Sequence, residues 1–291
     1  MHKKSCMRPE VKAAIKTIQN AGVDLTVCIP WAKRDITTFV KQAIKEGVTR
    51  IIAGGGDGTL SHVANRLLRK GRAAKVSLGV FPLGTANDFA RGAGVPRGDL
   101  AAALHLAATG AAIPIDIGEV NGRYFINVAS GGFGAEITAT TPQKLKKGLG
   151  GIAYTLVGLA RVFEFQPYHG AYIGPDGERD EGSMIVIAVG NNRFAGGGFE
   201  VAPRANLQDG LLDLAVLSAD ALPPVGPIGA ELEDQTNRDN KFLRYRQVPS
   251  FAIESDRPLH MNLDGEPVVD QHFKFKVHPG ALNVVLGNLT H

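Results

Sequence analysis

"RIIAGGGDGTLSHVANRL" (50–67) joins an isoleucine-rich apolar run to a stretch whose apolar residues recur at helical spacing. Between the two lie four glycines, Gly54, Gly55, Gly56 and Gly58, with Asp57 set among them and Thr59 and Leu60 following. A strand that hands over to a helix through such a turn offers bare backbone N–H groups and the positive end of a helix, a natural seat for phosphate. Asp57 at its centre repels phosphate. Either it caps the helix and the glycines only make the turn, or it brings a cation that neutralises a nucleotide's phosphates. Four glycines exceed what a helix start needs, and the second reading accounts for them as room for a bulky anion at the backbone. The turn lacks the lysine of a Walker A loop and does not fit GxGxxG.

Working outward, "DLTVCI" (24–29), "TRIIAG" (49–54), "KVSLGVF" (75–81) and "AIPIDIGEV" (112–120) read as strands. Between them lie helical stripes: Val11, Ala14, Ile15 and Ile18; Ile36, Val40, Ala43 and Ile44; Val63, Leu67 and Leu68; Leu100, Leu104 and Ala107. This alternation predicts an α/β domain over 1–121, a largely parallel sheet with flanking helices. Ligands of such sheets sit at the carboxyl ends of the strands, where the glycine turn and "LGTAND" (83–88) both fall. After about residue 122 the texture becomes short strands separated by Gly, Pro, Asn and Asp turns: "YFINVAS", "SMIVIAVG", "LLDLAVLS", "SFAIESD", "LHMNLDG", "FKFKVHPG" and "ALNVVLG". Residues 122–280 are therefore predicted to form a β-rich domain, a sandwich. One helix opens at Thr141-Pro142 and runs to about Phe163, and 222–242 reads as a loop with at most a short helix.

The 291 residues carry a formal charge of +4 and only two cysteines, Cys6 and Cys28, which fits a reducing cytoplasm. Mild basicity suits an anionic partner without choosing one. No RRM, KH, zinc-finger or basic-zipper pattern appears, so nucleic acid is not expected. The amino-terminal stretch has no signal-peptide apolar region, and no run of about 18 apolar residues suggests a membrane span. Membrane contact is expected to be peripheral, with Lys144, Lys146 and Lys147 ahead of "IAYTLVGLARVF" as one candidate approach to anionic lipid.

Three further motifs carry chemistry. "FPLGTANDFAR" (81–91) brings Thr85, Asn87 and Asp88 to the same sheet edge as Asp57, so a second carboxylate can converge on the first; an ordinary helix cap explains Asn87-Asp88 equally well. "VGNNRFAGGGFEVAPRANLQDGLLDL" (189–214) combines three consecutive glycines with Asn206, Asp209 and Asp213, a spacing that suits a hard cation or a plain turn. In "LHMNLDGEPV" (259–268), Asp264-Gly265 signals a type I′ hairpin, and Glu266 gains a role as general base only if it faces the cleft. "FINVASGGFGAEI" (125–137) is read as a hinge or cleft wall.

In this order, these stretches resemble the diacylglycerol kinase catalytic-domain family, most closely its bacterial YegS-like lipid kinases, over nearly the whole chain. "LGTANDFA" is what separates the chain from NAD kinases, which share GGDG turns. The resemblance implies ATP in a cleft between an NAD kinase-like α/β domain and the β-rich domain, with the last strand, near 281–291, returning to the first domain. It implies that the turn from Gly54 through Leu60 cradles the ATP phosphates and that Thr85 contacts the nucleotide. Asp57 and Asp88 would lie around Mg²⁺ and the transferring phosphoryl group, and Glu266 would take the proton of the lipid hydroxyl. Asn206 and Leu211, through backbone carbonyls, and Asp209, through its carboxylate, match a second metal site, for Mg²⁺ or Ca²⁺. The implied activity is transfer of the γ-phosphoryl group to a glycerolipid hydroxyl, of diacylglycerol or phosphatidylglycerol type, at the inner face of the membrane. A kinase of a soluble nucleotide such as NAD and a non-catalytic nucleotide or lipid sensor stay as alternatives. The chain departs from the family in four places. It opens almost at the first helix, where a strand and an "NP" loop are expected. Pro30 replaces a nucleotide-contacting Thr, Ser61 and His62 replace Asn-Glu, and Gln208 replaces a frequent Asp.

Overall fold

The computed structural model describes residues 3–69, 76–132, 166–218 and 225–288. The helix expected over 141–163, its three lysines and Gly134 lie outside the described residues. Among those described, a short helix α1 (Lys3–Cys6) leads into α2 (Pro9–Asn20), which opens on proline at its first position. Helix α3 (Lys33–Lys45) starts where the Asp35 carboxylate accepts the N–H groups of Trp31 and Ala32, both at 2.9 Å. Strand β1 (Arg50–Gly55) then delivers the glycine turn to α4 (Asp57–Leu68), and β2 (Ser77–Pro82) delivers the second turn to α5 (Asp88–Gly92). Helix α6 (Leu100–Thr109) is capped by Asp99, which accepts from Ala102 N–H.

Strands β1 and β2 are parallel, and β3 (Ala112–Val120) lies antiparallel on the end of the last strand, so this domain's sheet is mixed rather than largely parallel. Helices cover both of its faces. Leu60, Val63, Ala64 and Leu67 of α4 pack on Leu78, Val80, Ile115 and Val284. On the other face, Val11, Ala14 and Ile18 of α2 meet Phe81 and the α6 residues Ala103 and Leu104. Each buried Leu, Ile or Val in these faces is worth ~1.5–3 kcal/mol, which is why the helical stripes are legible at all.

The strand expected over 24–29 does not form. This segment is assigned to no strand, and a groove of ≈ 420 Å³ lined by Leu25, Val27, Cys28, Ile51 and Ala53 lies between it and β1. A strand needs a ladder partner for its N–H and C=O groups. Without one, Val27, Ile29 and Trp31 stay exposed.

The β-rich part begins with β4 (Arg123–Phe125) and β5 (Val128–Gly132). It continues through β6 (Tyr168–Ile173), β7 (Arg179–Met184), β8 (Val186–Gly190), the small hairpin β9 (Phe194–Ala195) and β10 (Phe199–Glu200), and β11 (Leu212–Leu217). Helix α7 (Val225–Glu233) is the short helix of the 222–242 stretch, and β12 (Leu243–Val248) follows it. The four strands expected between 250 and 287 are two long ones, β13 (Ser250–Leu263) and β14 (Glu266–Val285). Their ladder slips between Glu254 and Leu259. Strand β14 pairs with β13 through its first half, then with β3 and, at Val284, in parallel with Leu78 of β2. One strand thus ties the two cores together. The second core centres on Phe125, Phe251, Phe273 and Phe275, with Phe251 and Phe275 stacked at 4.7 Å.

A buried polar pair sits at the β11–β12 edge, where the Tyr245 hydroxyl donates to fully buried Asp213 and Gln247 contributes a longer bond. Burial pushes the Asp213 carboxyl up to about 6 from 3.8, against the two hydrogen bonds, which favour the charged form. The folded chain therefore holds this proton where the unfolded chain releases it. The resulting stabilisation is complete below pH 3.8 and lost as the pH rises through about 6. Urea titrations of wild type and Asp213→Asn are expected to diverge between these pH values. The wild type should lose on the order of 3 kcal/mol that the variant does not.

Candidate active site

The two turns at the carboxyl ends of β1 and β2 pack back to back, and glycine is what lets them. A Cβ on Gly84 would overlap the Cα of Gly56, and one on Gly56 would lie 3.2 Å from the Cα of Gly84. Asn87 fixes the second turn. In the left-handed region (φ 52°), it accepts from Gly84 N–H and donates to Gly84 C=O, both at 2.9 Å. Replacing Gly84 by alanine should force the turns apart at a cost of ~1–3 kcal/mol, which thermal unfolding of the variant checks.

The cap that Asp57 makes is on a helix other than its own. Asp57 opens α4, yet its Oδ1 accepts from Phe89 N–H at 2.9 Å, capping the neighbouring helix α5 and binding the two turns into one unit. Asp88 lies beside it, buried, with Oδ2 accepting from Gly197 N–H at 2.9 Å. Gly196, Gly197 and Gly198 all have positive φ (64°, 94° and 107°), so the glycine run of the β9–β10 hairpin curls its backbone onto Asp88. The other oxygen of Asp88, Oδ1, is buried with no hydrogen-bond partner. Burial raises the Asp88 pKa; the Gly197 N–H opposes that rise and the adjacent Asp57 charge adds to it. An orphaned carboxylate oxygen next to a second carboxylate is a donor set that a hard divalent cation relieves, so these residues fit Mg²⁺.

Gly54 and Gly55 are buried at the end of β1, Gly58 is exposed at the first turn of α4, and Thr85 is exposed on the second turn. Glu266 opens β14 directly after the hairpin turn and lines a pocket of ≈ 280 Å³ together with Gly58, Ser61 and Asp264. The structure therefore brings Asp57, Asp88, Thr85 and the glycine turn to one sheet edge and sets Glu266 in a cavity that the same turn lines.

Asp264 is more than a hairpin residue. It and Gly265 do adopt positive φ (50° and 96°) in a two-residue turn. Its carboxylate also accepts from the N–H groups of Ile126, Asn127 and Val128 at 2.7, 3.0 and 3.1 Å. Those three donors are free because the expected continuous strand 124–130 breaks between β4 and β5. Burial pushes Asp264 up to about 6 despite these bonds and one from Ser61.

Sequence reasoning missed the amides that hold the cleft. Asn191 and Asn192 are each 1% exposed. The Asn191 amide donates to Asp116 C=O and Ile126 C=O at 2.9 Å, and Asn192 to Phe89 C=O at 3.2 Å. The dipeptide Asn191-Asn192 between a strand and a glycine run was the available signal. Asp116 was missed as well. Its two oxygens accept from Gly210 and Gly280 N–H at 2.7 and 2.8 Å, next to the proposed second metal loop. In that loop Asn206 Oδ1 accepts from Gln208 N–H and Asp209 Oδ1 from Leu211 N–H. Burial raises Asp209; the Leu211 N–H opposes this and Asp116 adds to it.

A family model described as the diacylglycerol kinase catalytic domain matches residues 3–120, and one described as the YegS C-terminal NAD kinase beta sandwich-like domain matches 127–286. A Pseudomonas aeruginosa protein named "Probable lipid kinase YegS-like" is 44% identical over 286 residues, 98% of this chain and 92% of its own length. A Klebsiella pneumoniae protein of the same name is 40% identical over 96% of this chain and 92% of its own. Among solved structures, a diacylglycerol kinase from Bacillus anthracis superposes with a TM-score of 0.72 at 21% identity, covering 99% of this chain and 92% of that one. An NAD kinase from Archaeoglobus fulgidus in complex with ATP gives 0.51 at 12% identity, covering 98% and 91%. These two likenesses are of fold.

Proposed function

This chain belongs to the diacylglycerol kinase catalytic-domain family and carries the YegS-type C-terminal domain; from that premise we propose that it is an ATP-dependent kinase of a glycerolipid hydroxyl. The observation that carries the proposal is the orphaned Oδ1 of Asp88 beside Asp57, at the seam of the two phosphate-side turns. In this reading the backbone N–H groups of the Gly54–Leu60 turn receive the phosphates and Thr85 contacts the nucleotide. Asp57 and Asp88 would hold Mg²⁺, which when bound offsets charge on the transferring phosphoryl group. Glu266 accepts the proton as the lipid oxygen forms its bond to phosphorus and the bond to the ADP oxygen breaks. Such a base contributes ~10²–10⁴-fold. Asp209 with the carbonyls of Asn206 and Leu211 would hold a second cation, Mg²⁺ or Ca²⁺. Among the described residues no helix is long and apolar enough to cross a membrane, and we assign the protein a peripheral contact with the membrane, at its inner, cytoplasmic face.

The test is transfer of label from γ-labelled ATP into diacylglycerol and phosphatidylglycerol micelles, with NAD as a separate acceptor. Wild type is expected to label a lipid and not NAD. Glu266→Gln should lose ~10²–10⁴-fold of that transfer while still binding ATP. Labelled NAD, or full activity without Glu266, overturns the assignment.

A further inference from the structure

Large apolar side chains scattered singly over a surface are ordinary; clustered ones mark a contact. Of the six that stand exposed among the described residues, three fall within five positions just ahead of α3: Val27, Ile29 and Trp31. The others, Met7, Val48 and Val269, are dispersed along the chain. Trp31 is the only tryptophan of the chain and is 80% exposed. Asp35 fixes the tip that carries it, because its carboxylate accepts from both Trp31 and Ala32 N–H at 2.9 Å. The same carboxylate lies 3.9 Å from the Nε of Arg34, whose side chain is 90% exposed. An exposed pair at that distance contributes little, so the guanidinium stays open to an outside anion. Two contacts set this tip at the rim of the cleft. Pro30, next to Trp31, lines the same groove as Gly54 and Thr59 of the phosphate-side turn. Thr37 of α3 lies 3.4 Å from His62 of α4, and His62 lines the cavity of Gly58 and Glu266.

We propose that Val27, Ile29 and Trp31, together with Arg34, form a prong that docks the protein on an anionic phospholipid bilayer. The apolar side chains enter the interfacial layer and the guanidinium meets the lipid phosphates. Tryptophan suits that layer because its ring is apolar in body and polar at its N–H. An apolar cluster with a cation beside it calls for a partner that is apolar and anionic within a few ångströms, and the bilayer interface is both. Lys33, ahead of Arg34 in the sequence, adds a second positive charge to the segment. The inference rests on the lipid-kinase reading of the cleft and deepens it by naming the surface that brings the cleft to its substrate. An acceptor held in a bilayer is reached only where the cleft opens onto the membrane, and the prong stands at that opening.

The experiment uses Trp31 as its own reporter. The full chain, without ATP, is titrated with vesicles of phosphatidylcholine alone and with vesicles of phosphatidylcholine and phosphatidylserine in equal parts. Phosphatidylserine is anionic but has no free hydroxyl, so binding to it is not recognition of an acceptor. On the mixed vesicles we expect Trp31 emission to shift to the blue and to be quenched by brominated acyl chains. Co-sedimentation should weaken by roughly tenfold or more in Trp31→Ala. In Arg34→Gln it should weaken by about fivefold at low salt, a difference that shrinks as salt is added. Both side chains are exposed, and thermal unfolding of each variant checks that the fold is kept. The wild-type emission carries the test independently of either variant. Vesicle binding that leaves Trp31 emission unmoved would mean that another surface docks. Equal binding to both kinds of vesicle would remove the role of charge. A blue shift that grows with protein concentration and needs no vesicles would mean that a second copy covers the prong. Each of these overturns the proposal, as does failure to bind either vesicle. Because ATP is absent, failure of lipid phosphorylation leaves vesicle binding standing. Failure of vesicle binding leaves transfer to a dispersed short-chain acceptor standing.

Discussion

Asp57→Asn is expected to lower lipid phosphorylation by about 10³-fold or more while leaving the fold close to wild type. Asparagine keeps an oxygen that can accept from Phe89 N–H, so the cap that joins the two turns persists. What goes is the charge. Beside it Asp88 is buried, one oxygen on Gly197 N–H and the other without a partner. A single remaining carboxylate holds a divalent cation poorly, and the cation is what allows phosphates to approach an acidic cleft. Phosphorylation rate, unfolding midpoint and Mg²⁺ dependence measured on one preparation separate the two roles. A large loss of stability with little loss of rate per folded molecule would mean that Asp57 serves only as a cap.

Asp264→Ala should have the largest effect on stability, ~3–4 kcal/mol, which corresponds to a fall of roughly 5–7 °C in Tm for a chain of this length. The substitution leaves three backbone N–H groups, those of Ile126, Asn127 and Val128, buried at the break between two strands with nothing to accept them. Against this loss stands the cost of burying the carboxyl, visible in its raised pKa; three N–H bonds outweigh it, or the break between β4 and β5 would not persist. Glu266 stands two residues away, so phosphorylation falls as well. A shift under about 1 kcal/mol would show that the three donors find other partners, and the hairpin would then be a turn and nothing more.

How much of this was legible in the sequence depends on how local each signal is. The stripes Val11–Ile18, Val63–Leu68 and Leu100–Ala107 were legible because a helix face is written within one element. The glycine turn and "LGTAND" were legible for the same reason, since turn, glycine and cap lie within a few residues. The role of Asp57 was not, because its partner Phe89 is 32 residues away. Asn191, Asn192 and Asp116 escaped notice because the cleft groups they hold are 65–164 residues distant and their side chains say nothing of that by type. The segment 24–29 has strand composition and yet forms no strand, since a ladder is a property of two segments and composition describes one. Strand β14 was divided in two by Pro279-Gly280, which in the structure marks only the slip of its ladder with β3 between His278 and Leu282.

The measurement that bears most directly on the whole account is incubation of the chain with γ-labelled ATP, Mg²⁺ and a total bacterial lipid extract, followed by separation of the products. The account predicts label in an organic-soluble phosphomonoester, absent with Asp57→Asn and Glu266→Gln and absent when Mg²⁺ is chelated. Label confined to inorganic phosphate or to a soluble nucleotide, with ATP bound and the chain folded, would contradict it.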